Sequence, residues 1–334
     1  MKLLPLVTSS LVTSFVAPLI TTLSTAFFLQ AAPAHAEAPM STVSAAGVYR
    51  MQLGEFQVST LSDGTVTIPI DKLLTNIEPA VLAESLRQAN LQPMMETSIN
   101  TFLINTGSKL ILVDTGAGEV FKANLLAKAG RLQQSLVNAG YKPEQVDMVL
   151  LTHIHGDHSG GLSLYDQRLF PNADVYVDEH DASFWLDRSN EAKAAPGQRH
   201  GFAEAEAMLA PYAKAGRLKT FNGATQIVPG VRSRPAYGHT PGHSYYEVES
   251  GGQKLLLTGD MIHAAAAQMP HPETTIVFDV DADKARSQRT SFLSEAVKQG
   301  YWVGAAHISF PGLGHIHNAG KAAYRWEPAN YGAW

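Results

Sequence analysis

The sequence predicts an α/β fold in which two β-sheets pack face to face with helices on their outer sides. One observation is that short apolar, β-branched runs alternate with turn residues and pair as hairpins. A second is that a block of strands followed by helix occurs twice, which suggests internal pseudo-symmetry within one domain. The 334 residues, 45% of them hydrophobic, can fill such a core and exclude a disordered chain.

The N-terminus has the pattern of a secretory signal. Lys2 precedes a long, largely apolar stretch that ends in the small-residue site Ala34-His35-Ala36. We therefore expect residues 1–36 to be removed and the mature protein to be periplasmic or secreted. The alternative is a retained membrane anchor, because residues 3–30 could span a bilayer core about 30 Å thick. Frequent serine and threonine and two prolines favour cleavage, after which no stable membrane association is expected.

Composition excludes several classes of function. Without residues 1–36, 24 basic and 30 acidic side chains remain, a net charge of −6, so we expect no nucleic-acid partner. Cysteine is absent, which excludes both a lipid-modified cysteine and a disulfide. Any side chain that binds a metal ion must then be histidine, aspartate or glutamate.

The first block follows a flexible start at 37–50 and begins a single folded domain, which is predicted to extend over 51–334. It contains strands, a hairpin with the turn Thr106-Gly107-Ser108, a helix and a short buried strand. These elements are predicted at 56–61 and 66–70 around the turn Ser62-Asp63-Gly64, at 100–105 and 109–114, in a helix to about Gly140, and at 146–152.

The second block repeats this order. It is predicted to contain a strand, two helices, a hairpin, a long helix and a last strand. These lie at 173–178, 179–188, 203–215, 245–250 paired with 254–258, 281–300 and 302–306.

One short segment concentrates residues that bind metal ions. His153-Ile154-His155-Gly156-Asp157-His158 supplies three imidazoles and one carboxylate, which suit zinc and similar divalent cations. In an extended loop His153 and His155 point the same way, whereas Asp157 and His158 can turn toward a second point as a helix begins. We therefore expect this one segment to serve two ions.

This spacing resembles the signature of the metallo-β-lactamase superfamily, and the later ligands of that family also have matches. His239 lies in Gly238-His239-Thr240-Pro241-Gly242, Asp260 in Leu257-Thr258-Gly259-Asp260, and His307 in Gly304-Ala305-Ala306-His307. The resemblance implies a four-layer αββα sandwich of two packed mixed β-sheets and outer helices. It also implies one ion on His153, His155 and His239, a second on Asp157, His158 and His307, and Asp260 as the bridge.

Two further residues are expected to support these ligands. Asp114, in Val113-Asp114-Thr115-Gly116, matches an early motif of the family whose acid orients ligands. His243 is predicted either to contact the ligands or to form a hydrogen bond in the core, and both alternatives remain open. The remaining histidines after residue 36 are predicted to be surface or structural groups, except His263: His180, His200, His271, His315 and His317.

Within the superfamily the chain resembles the methyl parathion hydrolase group, exported enzymes that cleave aryl phosphotriesters and related aryl esters or lactones. The likeness is carried by residues 61–65, 105–110, 170–173, 309–312 and 324–326. It implies a homodimer as a possible assembly and a substrate pocket formed by Phe121, Trp185, Phe202, Ile276 and Phe278. His263, three residues after Asp260, is predicted to line this pocket, with a core position as the alternative.

These residues together predict a hydrolase with two divalent metal ions, zinc in the first instance, and a metal-bridging hydroxide as nucleophile. Asp260 or Asp157 would move the proton. His263 on one side and Ile276 and Phe278 on the other favour flat aryl lactones and aryl esters, with phosphotriesters as the alternative. A diiron redox protein on the same scaffold is a distant alternative, since the sequence contains no flavodoxin-like domain.

Overall fold

The computed structural model describes residues 47–122 and 127–332, together with positions 14 and 40. The predicted signal at 1–36 and the segment 37–46 therefore lie outside the described residues, apart from those two positions. In the described part, no helix has the length and apolarity needed to cross a membrane.

Strands and helices occur in the two blocks that the sequence predicts. In chain order the strands are β1 (Val48–Leu53), β2 (Phe56–Pro69), β3 (Leu74–Thr75), β4 (Met94–Asn105), β5 (Leu110–Val113), β6 (Ala127–Lys128), β7 (Met148–Leu150), β8 (Ser163–Leu164), β9 (Gln167–Arg168), β10 (Asp174–Asp178), β11 (Leu218–Phe221), β12 (Gln226–Val228), β13 (Val231–Pro235), β14 (Ser244–Ser250), β15 (Gln253–Leu257), β16 (Thr275–Ile276), β17 (Trp302–Gly304), β18 (Leu313–Gly320) and β19 (Ala323–Pro328). The helices are α1 (Ile70–Leu73), α2 (Pro79–Gln88), α3 (Leu132–Asn138), α4 (Gly156–Ser159), α5 (Glu179–Trp185), α6 (His200–Lys214), α7 (Ala265–Gln268) and α8 (Ala282–Gln299).

Two large sheets of mixed direction contain most of these strands. The first has the order β1-β2-β4-β5-β7-β10-β11, with β6 paired to β2, and the second has the order β12-β13-β14-β15-β17-β18-β19. The first is antiparallel from β1 to β5 and parallel from β5 to β11. The second is antiparallel except for the parallel pair of β15 with β17.

Alternating side chains place each large sheet between two apolar cores. Phe102 in β4 and Leu255 in β15 belong to one shared core between the sheets. Their neighbours Leu103 and Leu256 point to the opposite faces and join two separate outer cores. This follows from the two-residue period of a strand, which makes both faces of a fully apolar strand available for burial.

Helices cover both outer faces. Leu136 of α3, Trp185 of α5 and Leu209 of α6 pack in the core outside the first sheet. Phe292 and Leu293 of α8 pack in the core outside the second sheet. The layers are therefore helix, sheet, sheet and helix, which confirms the predicted fold class.

Several local expectations differ from the structure. Ser62-Asp63-Gly64 is a bulge within the continuous strand β2, and the helix expected before Gly140 is limited to α3. Residues 48–50, expected in the flexible start, form the beginning of β1. The strand beginning at Trp302 is followed by β18 and β19, so it is not the last.

The bulge has a physical cause that the local sequence does not show. The Asp63 carboxylate is buried and accepts hydrogen bonds from the backbone N–H groups of Ala117, Gly130 and Leu132, each at 2.9 Å. Gly64 adopts a φ of 125°, and a Cβ there would lie 2.0 Å from the Lys128 carbonyl oxygen. Asp63 thus fixes the loop beyond β5 to the sheet, and burial raises the pKa of its carboxyl above the usual range.

Candidate metal centre

The predicted ligands lie in segments that follow the ends of strands, with Asp157 and His158 in the short helix α4. The segment after β7 carries residues 153–158, and the segments after β13, β15 and β17 carry His239, Asp260 and His307. The first sheet therefore supplies four of the seven side chains and the second sheet three. Their side-chain atoms meet where these segments converge, within a space of 4.8 Å for each cluster described below.

One cluster contains His153, His155, His239 and Asp260. The Nδ1 of His155 lies 3.0 Å from Nε2 of His153 and 3.1 Å from Nε2 of His239. Oδ2 of Asp260 is 3.2 Å from the same His239 nitrogen. Nitrogen atoms that share one zinc ion at about 2.0–2.1 Å lie roughly 3.3 Å apart, so this spacing suits a common cation.

A second cluster contains Asp157, His158 and His307 and faces the other oxygen of Asp260. Oδ1 of Asp260 is 2.9 Å from Nε2 of His158 and 3.0 Å from Nε2 of His307. Oδ2 of Asp157 lies 3.5 Å from that His307 nitrogen and 3.8 Å from that of His158. The two oxygens of Asp260 are thus divided between two clusters, which is the arrangement of a bridging carboxylate.

Two buried polar atoms in the ligand clusters lack a hydrogen-bond partner, which indicates whether cations fit between these side chains. Nε2 of His158 and Oδ1 of Asp260 are both buried, and although they lie 2.9 Å apart they form no hydrogen bond with each other or with any other described residue. Leaving such atoms unpaired is costly in a protein interior, and a divalent cation would satisfy both. The donor set of imidazole nitrogen and carboxylate oxygen suits zinc, so these residues fit two divalent ions.

A second set of contacts orients the imidazoles. The Nδ1 atom of His158 faces Oδ2 of Asp114 at 2.9 Å, and that of His239 faces Oδ1 of Asp279 at 2.8 Å. The Nδ1 atom of His307 lies 2.9 Å from the Ser98 carbonyl oxygen. Because an acceptor holds each Nδ1–H, the Nε2 lone pair of each ring is directed toward the cluster.

Asp114 does more than contact one ligand. Its carboxylate also accepts hydrogen bonds from the backbone N–H and the hydroxyl of Thr152, both at 2.8 Å. Thr152 directly precedes His153, so Asp114 holds the start of the 153–158 loop and the His158 ring together. The structure thus places this predicted supporting residue against the ligands.

His243 lies behind the bridging aspartate, and its Nε2 accepts a hydrogen bond from the backbone N–H of Asp260 at 3.1 Å. Burial lowers the pKa of His243 to about 3, so it is neutral and can accept. Gly259, with a φ of 50°, permits this approach, since a Cβ there would lie 2.9 Å from that nitrogen. His243 therefore combines the two roles that the sequence left open.

Two supporting acids have no motif that would have revealed them. Asp279 contacts His239, and the buried Asp181 accepts hydrogen bonds from the backbone N–H groups of Ile154 and Gly242 at 2.8 and 2.6 Å. Asp181 thereby joins the ligand loops of the two sheets, and burial raises its pKa to about 6. Their only sequence signal is an acid near a helix end, which is far too common to be specific.

Electrostatics favour cation binding at the bridge. Burial opposes the charged form of Asp260, but the surrounding histidines outweigh it and hold the pKa of Asp260 well below its usual range. Burial lowers the pKa of His153 and His155, while Asp260 and Asp279 overcome burial and raise the pKa of His239 to about 9, so a cation that binds His239 at neutral pH displaces its Nε2 proton. The bridging carboxylate is therefore anionic at neutral pH.

A cavity of about 210 Å³ opens beside the clusters. Four of the six predicted pocket residues line it: Phe121, Trp185, His263 and Phe278. Phe202 and Ile276 do not, because Phe202 is fully buried against Trp185 at 4.8 Å between ring centroids and Ile276 packs in a small core with α2. The structure thus places these two predicted pocket side chains in the layer behind the wall of this cavity.

Other side chains line the cavity without having been predicted. They are Val66, Ile68, Thr97, Gln198, His200 and Glu204. His200, expected at the surface, is exposed and also borders the cavity. Val66, Ile68 and Thr97 come from the paired strands β2 and β4, where an apolar side chain facing a cavity has the same sequence pattern as one facing a core.

Comparisons with known sequences agree with this geometry. The model of the metallo-beta-lactamase superfamily matches residues 95–307. Over 172 residues the chain is 27% identical to an N-acyl homoserine lactonase of Bacillus thuringiensis, covering 46% of this chain and 60% of that protein. Over 108 residues it is 36% identical to the lactamase-like protein aptB of Emericella nidulans, covering 32% and 31%. The matches thus span about a third to three fifths of these relatives.

Two solved structures are similar over nearly their whole length. The hydrolase AbOPH of the beta lactamase superfamily has a TM-score of 0.81 and 35% identity, with 87% of this chain and 100% of that chain covered. The dizinc quorum-quenching lactonase AidC has a TM-score of 0.77 and 26% identity, with 86% and 99% covered. With the matching family model and the clustered His and Asp side chains, these similarities show that the chain belongs to the metallo-beta-lactamase superfamily of hydrolases.

Proposed function

We propose that this chain is a dinuclear metal-dependent hydrolase that cleaves aryl lactones and aryl esters, with zinc as the first candidate metal. The observation that carries the proposal is the division of the Asp260 oxygens between two clusters of ligand atoms. Two divalent cations there would lower the pKa of water toward about 7 and polarise the oxygen of the group attacked. No serine or cysteine nucleophile is needed for this chemistry.

Side chains around the metal centre would orient the ligands and transfer a proton. Asp114, Asp279 and the Ser98 carbonyl hold the imidazoles in the orientation that binds metal. Asp157 is part of the cavity wall and remains 19% exposed at its side chain, so it can pass a proton between the cavity and solvent. Asp260 borders the cavity too but is buried, which makes Asp157 the better placed of the two predicted proton carriers.

The cavity supports a flat, apolar substrate. Phe121, Trp185 and Phe278 provide aromatic wall, and Val66 and Ile68 provide aliphatic wall. Such a lining buries an aryl ring favourably and leaves the metal clusters at one side of it. The lactonase activity named for AidC and for the Bacillus protein supports a lactone as the reacting group.

A phosphotriesterase of the methyl parathion hydrolase type is the second candidate function. It is favoured by the likeness to that group at 61–65, 105–110, 170–173, 309–312 and 324–326. His263, which lies 3.0 Å from Oδ2 of Asp260, makes one side of the cavity wall polar, and Phe278 borders the same cavity with a bulky ring, which suits a planar ring better than a tetrahedral dialkyl phosphate. We therefore rank planar lactones and esters first.

A hydrolysis screen tests the proposal. The metal-loaded protein should hydrolyse dihydrocoumarin and phenyl acetate with a higher kcat/KM than methyl parathion, and a chelator should abolish all three activities. Metal analysis should find two colourless divalent ions per chain. Iron with visible absorbance, or no hydrolysis of any of the three, would contradict the proposal, and a preference for methyl parathion would select the second candidate.

We also propose that the protein is exported without residues 1–36 and then assembles as a homodimer. The support is the Lys2 to Ala36 pattern and the resemblance to an exported group. Mass spectrometry of protein recovered from the periplasm or medium should show a chain that begins at Glu37. Light scattering of that chain should give twice its mass.

A further inference from the structure

Glu204 is a carboxylate in the cavity wall that the proposed reaction does not use. It lies in the first turns of α6, is half-buried and lines the cavity with its neighbours Gly201 and His200. It has no hydrogen bond or ion pair within the described part of the chain. An unpaired, partly desolvated carboxylate is an unfavourable feature unless a ligand completes it.

The Glu204 carboxylate lies close to the segment that carries the metal ligands, at Gly156. A Cβ at Gly156 would lie 2.9 Å from Oε2 of Glu204, so the carboxylate is in close contact with this glycine. Burial raises the pKa of Glu204 most, the nearby His200 acts to lower it, and the charge of Asp157, which follows Gly156, acts to raise it. Among the described residues, no lysine or arginine lines the cavity, and His200, one helical turn before Glu204, is a titratable neighbour that does not carry a permanent charge.

The same cavity is bordered by aromatic rings. Trp185 and Phe121 line it, and Phe278 lines it while remaining 37% exposed. Aromatic faces attract cations that lie within about 6 Å of the ring centroid. An aromatic wall together with a free carboxylate is the chemistry that recognises an alkylammonium group.

We propose that Glu204 and these aromatic side chains form a subsite for a cationic group on the part of the substrate that does not react. The preferred substrates are then esters or lactones that carry an alkylammonium substituent, and those that carry a carboxylate are disfavoured. The assignment of the bound molecule as a substrate rests on the proposed function. The binding of the cation at Glu204 does not depend on the proposed function.

Binding is tested with simple probes on the metal-loaded protein. Calorimetric titration at low ionic strength should show that phenyltrimethylammonium binds and benzenesulfonate does not. Glu204→Gln keeps the shape of the side chain but removes its charge, so we expect it to weaken binding of the cation about 10-fold. Thermal unfolding of the variant should match that of the wild type, which separates lost binding from lost folding.

Glu206→Gln is the matched control. Glu206 lies on the same helix, its side chain is 63% exposed, and it is 3.7 Å from Arg188. The variant changes the net charge equally and should leave the affinity for phenyltrimethylammonium unchanged. Equal weakening by both variants, or no binding of the cation by wild type, would overturn the subsite.

A kinetic comparison connects the subsite with turnover. For 3-(trimethylammonio)phenyl acetate and its neutral tert-butyl analogue, Glu204→Gln should reduce the ratio of kcat/KM about 10-fold, mainly through KM. An unchanged ratio would refute a role in substrate selection. If the cation binds through Glu204 but no ester is cleaved, the proposed function fails while the subsite stands.

Discussion

At the scale of single residues, the proposed chemistry depends on Asp260 more than on any one histidine. Each imidazole faces one cluster, whereas the two oxygens of Asp260 face both. His243 accepts from its backbone N–H, and His263 contacts Oδ2 at 3.0 Å, so the carboxylate has one orientation. A substitution there should therefore affect both ions together.

Asp260→Asn tests this dependence. The amide has the shape of the carboxylate but no charge, and it places a hydrogen-bond donor where a cation would bind. We expect metal content to fall below two ions per chain and kcat to fall at least about 100-fold, more than an outer contact costs. Two tightly bound ions and near-normal turnover in this variant would refute the bridging role.

Asp114→Asn should have a smaller effect through orientation. Asp114 contacts no proposed ion and acts on His158 and Thr152. Loss of a carboxylate behind a ligating imidazole costs about 10–100-fold in metal affinity or activity. Competition with a chromogenic chelator should show this loss, and excess zinc should restore most of the activity. If excess metal restores nothing, Asp114 has a different role.

At the scale of elements, short sequence patterns predicted the features whose interacting residues are close together in the chain. Both hairpins are found because the Thr106-Gly107-Ser108 and Ser250 to Gln253 turns lie beside the strands they join. The sequence predicts a turn at Asp63, because the backbone N–H groups that its carboxylate binds lie 54 to 69 residues later in the chain and leave no local pattern. Phe202 is an aromatic residue near the site, but its depth depends on how α6 packs, which no short pattern contains.

In the candidate metal centre, too, the residues found from the sequence are those with a local motif or a family match, and the residues missed depend on distant contacts. The 153–158 segment is specific because four metal-binding side chains are adjacent in sequence, and the later ligands were found through the family resemblance. Asp181 and Glu204 had no comparable signal. Each is a common acidic residue whose role depends on a contact with a distant loop, at Gly242 for the first and Gly156 for the second.

Helix α8 supports the metal centre from outside the second sheet through Arg289. This arginine is 1% exposed and donates hydrogen bonds to the carbonyl oxygens of Pro272 at 3.0 Å, of Met261 at 3.2 Å, and of Thr274. Met261 directly follows Asp260. The guanidinium therefore fixes both ends of the segment that carries Asp260 and His263.

Arg289→Met should destabilise the protein, because three buried carbonyl oxygens lose their donor. Hydrogen bonds from a charged donor contribute about 1.5–3 kcal/mol each, and partial rehydration leaves an expected loss of about 2–4 kcal/mol in the free energy of unfolding. Urea denaturation measures it. Arg286→Met, on the same helix with its side chain 43% exposed, should cost under about 0.5 kcal/mol. Similar losses in the two variants would contradict a specific role for Arg289.

At the scale of the whole molecule, the two sheets are joined by their shared core and by the proposed metal ions. The core between the sheets contains Phe102 and Ile111 from the first and Tyr246 and Leu257 from the second. The ligands add a second connection, because residues 153–158 follow a strand of the first sheet and the remaining three follow strands of the second. Cations bound there would link the two halves of the sandwich.

Metal removal should therefore lower stability as well as activity. An ion that binds only the folded chain stabilises it by RT ln(1 + [L]/Kd), about 4 kcal/mol when the free ion exceeds its Kd 1,000-fold. For a domain of this size, that corresponds to a fall in Tm of roughly 10 °C after chelation. Differential scanning calorimetry of metal-loaded and chelated protein measures the difference. In Asp260→Asn the difference should shrink to a few degrees, because fewer ions remain to be removed. An equal fall in both proteins would mean that the stabilising ions lie elsewhere than between the sheets.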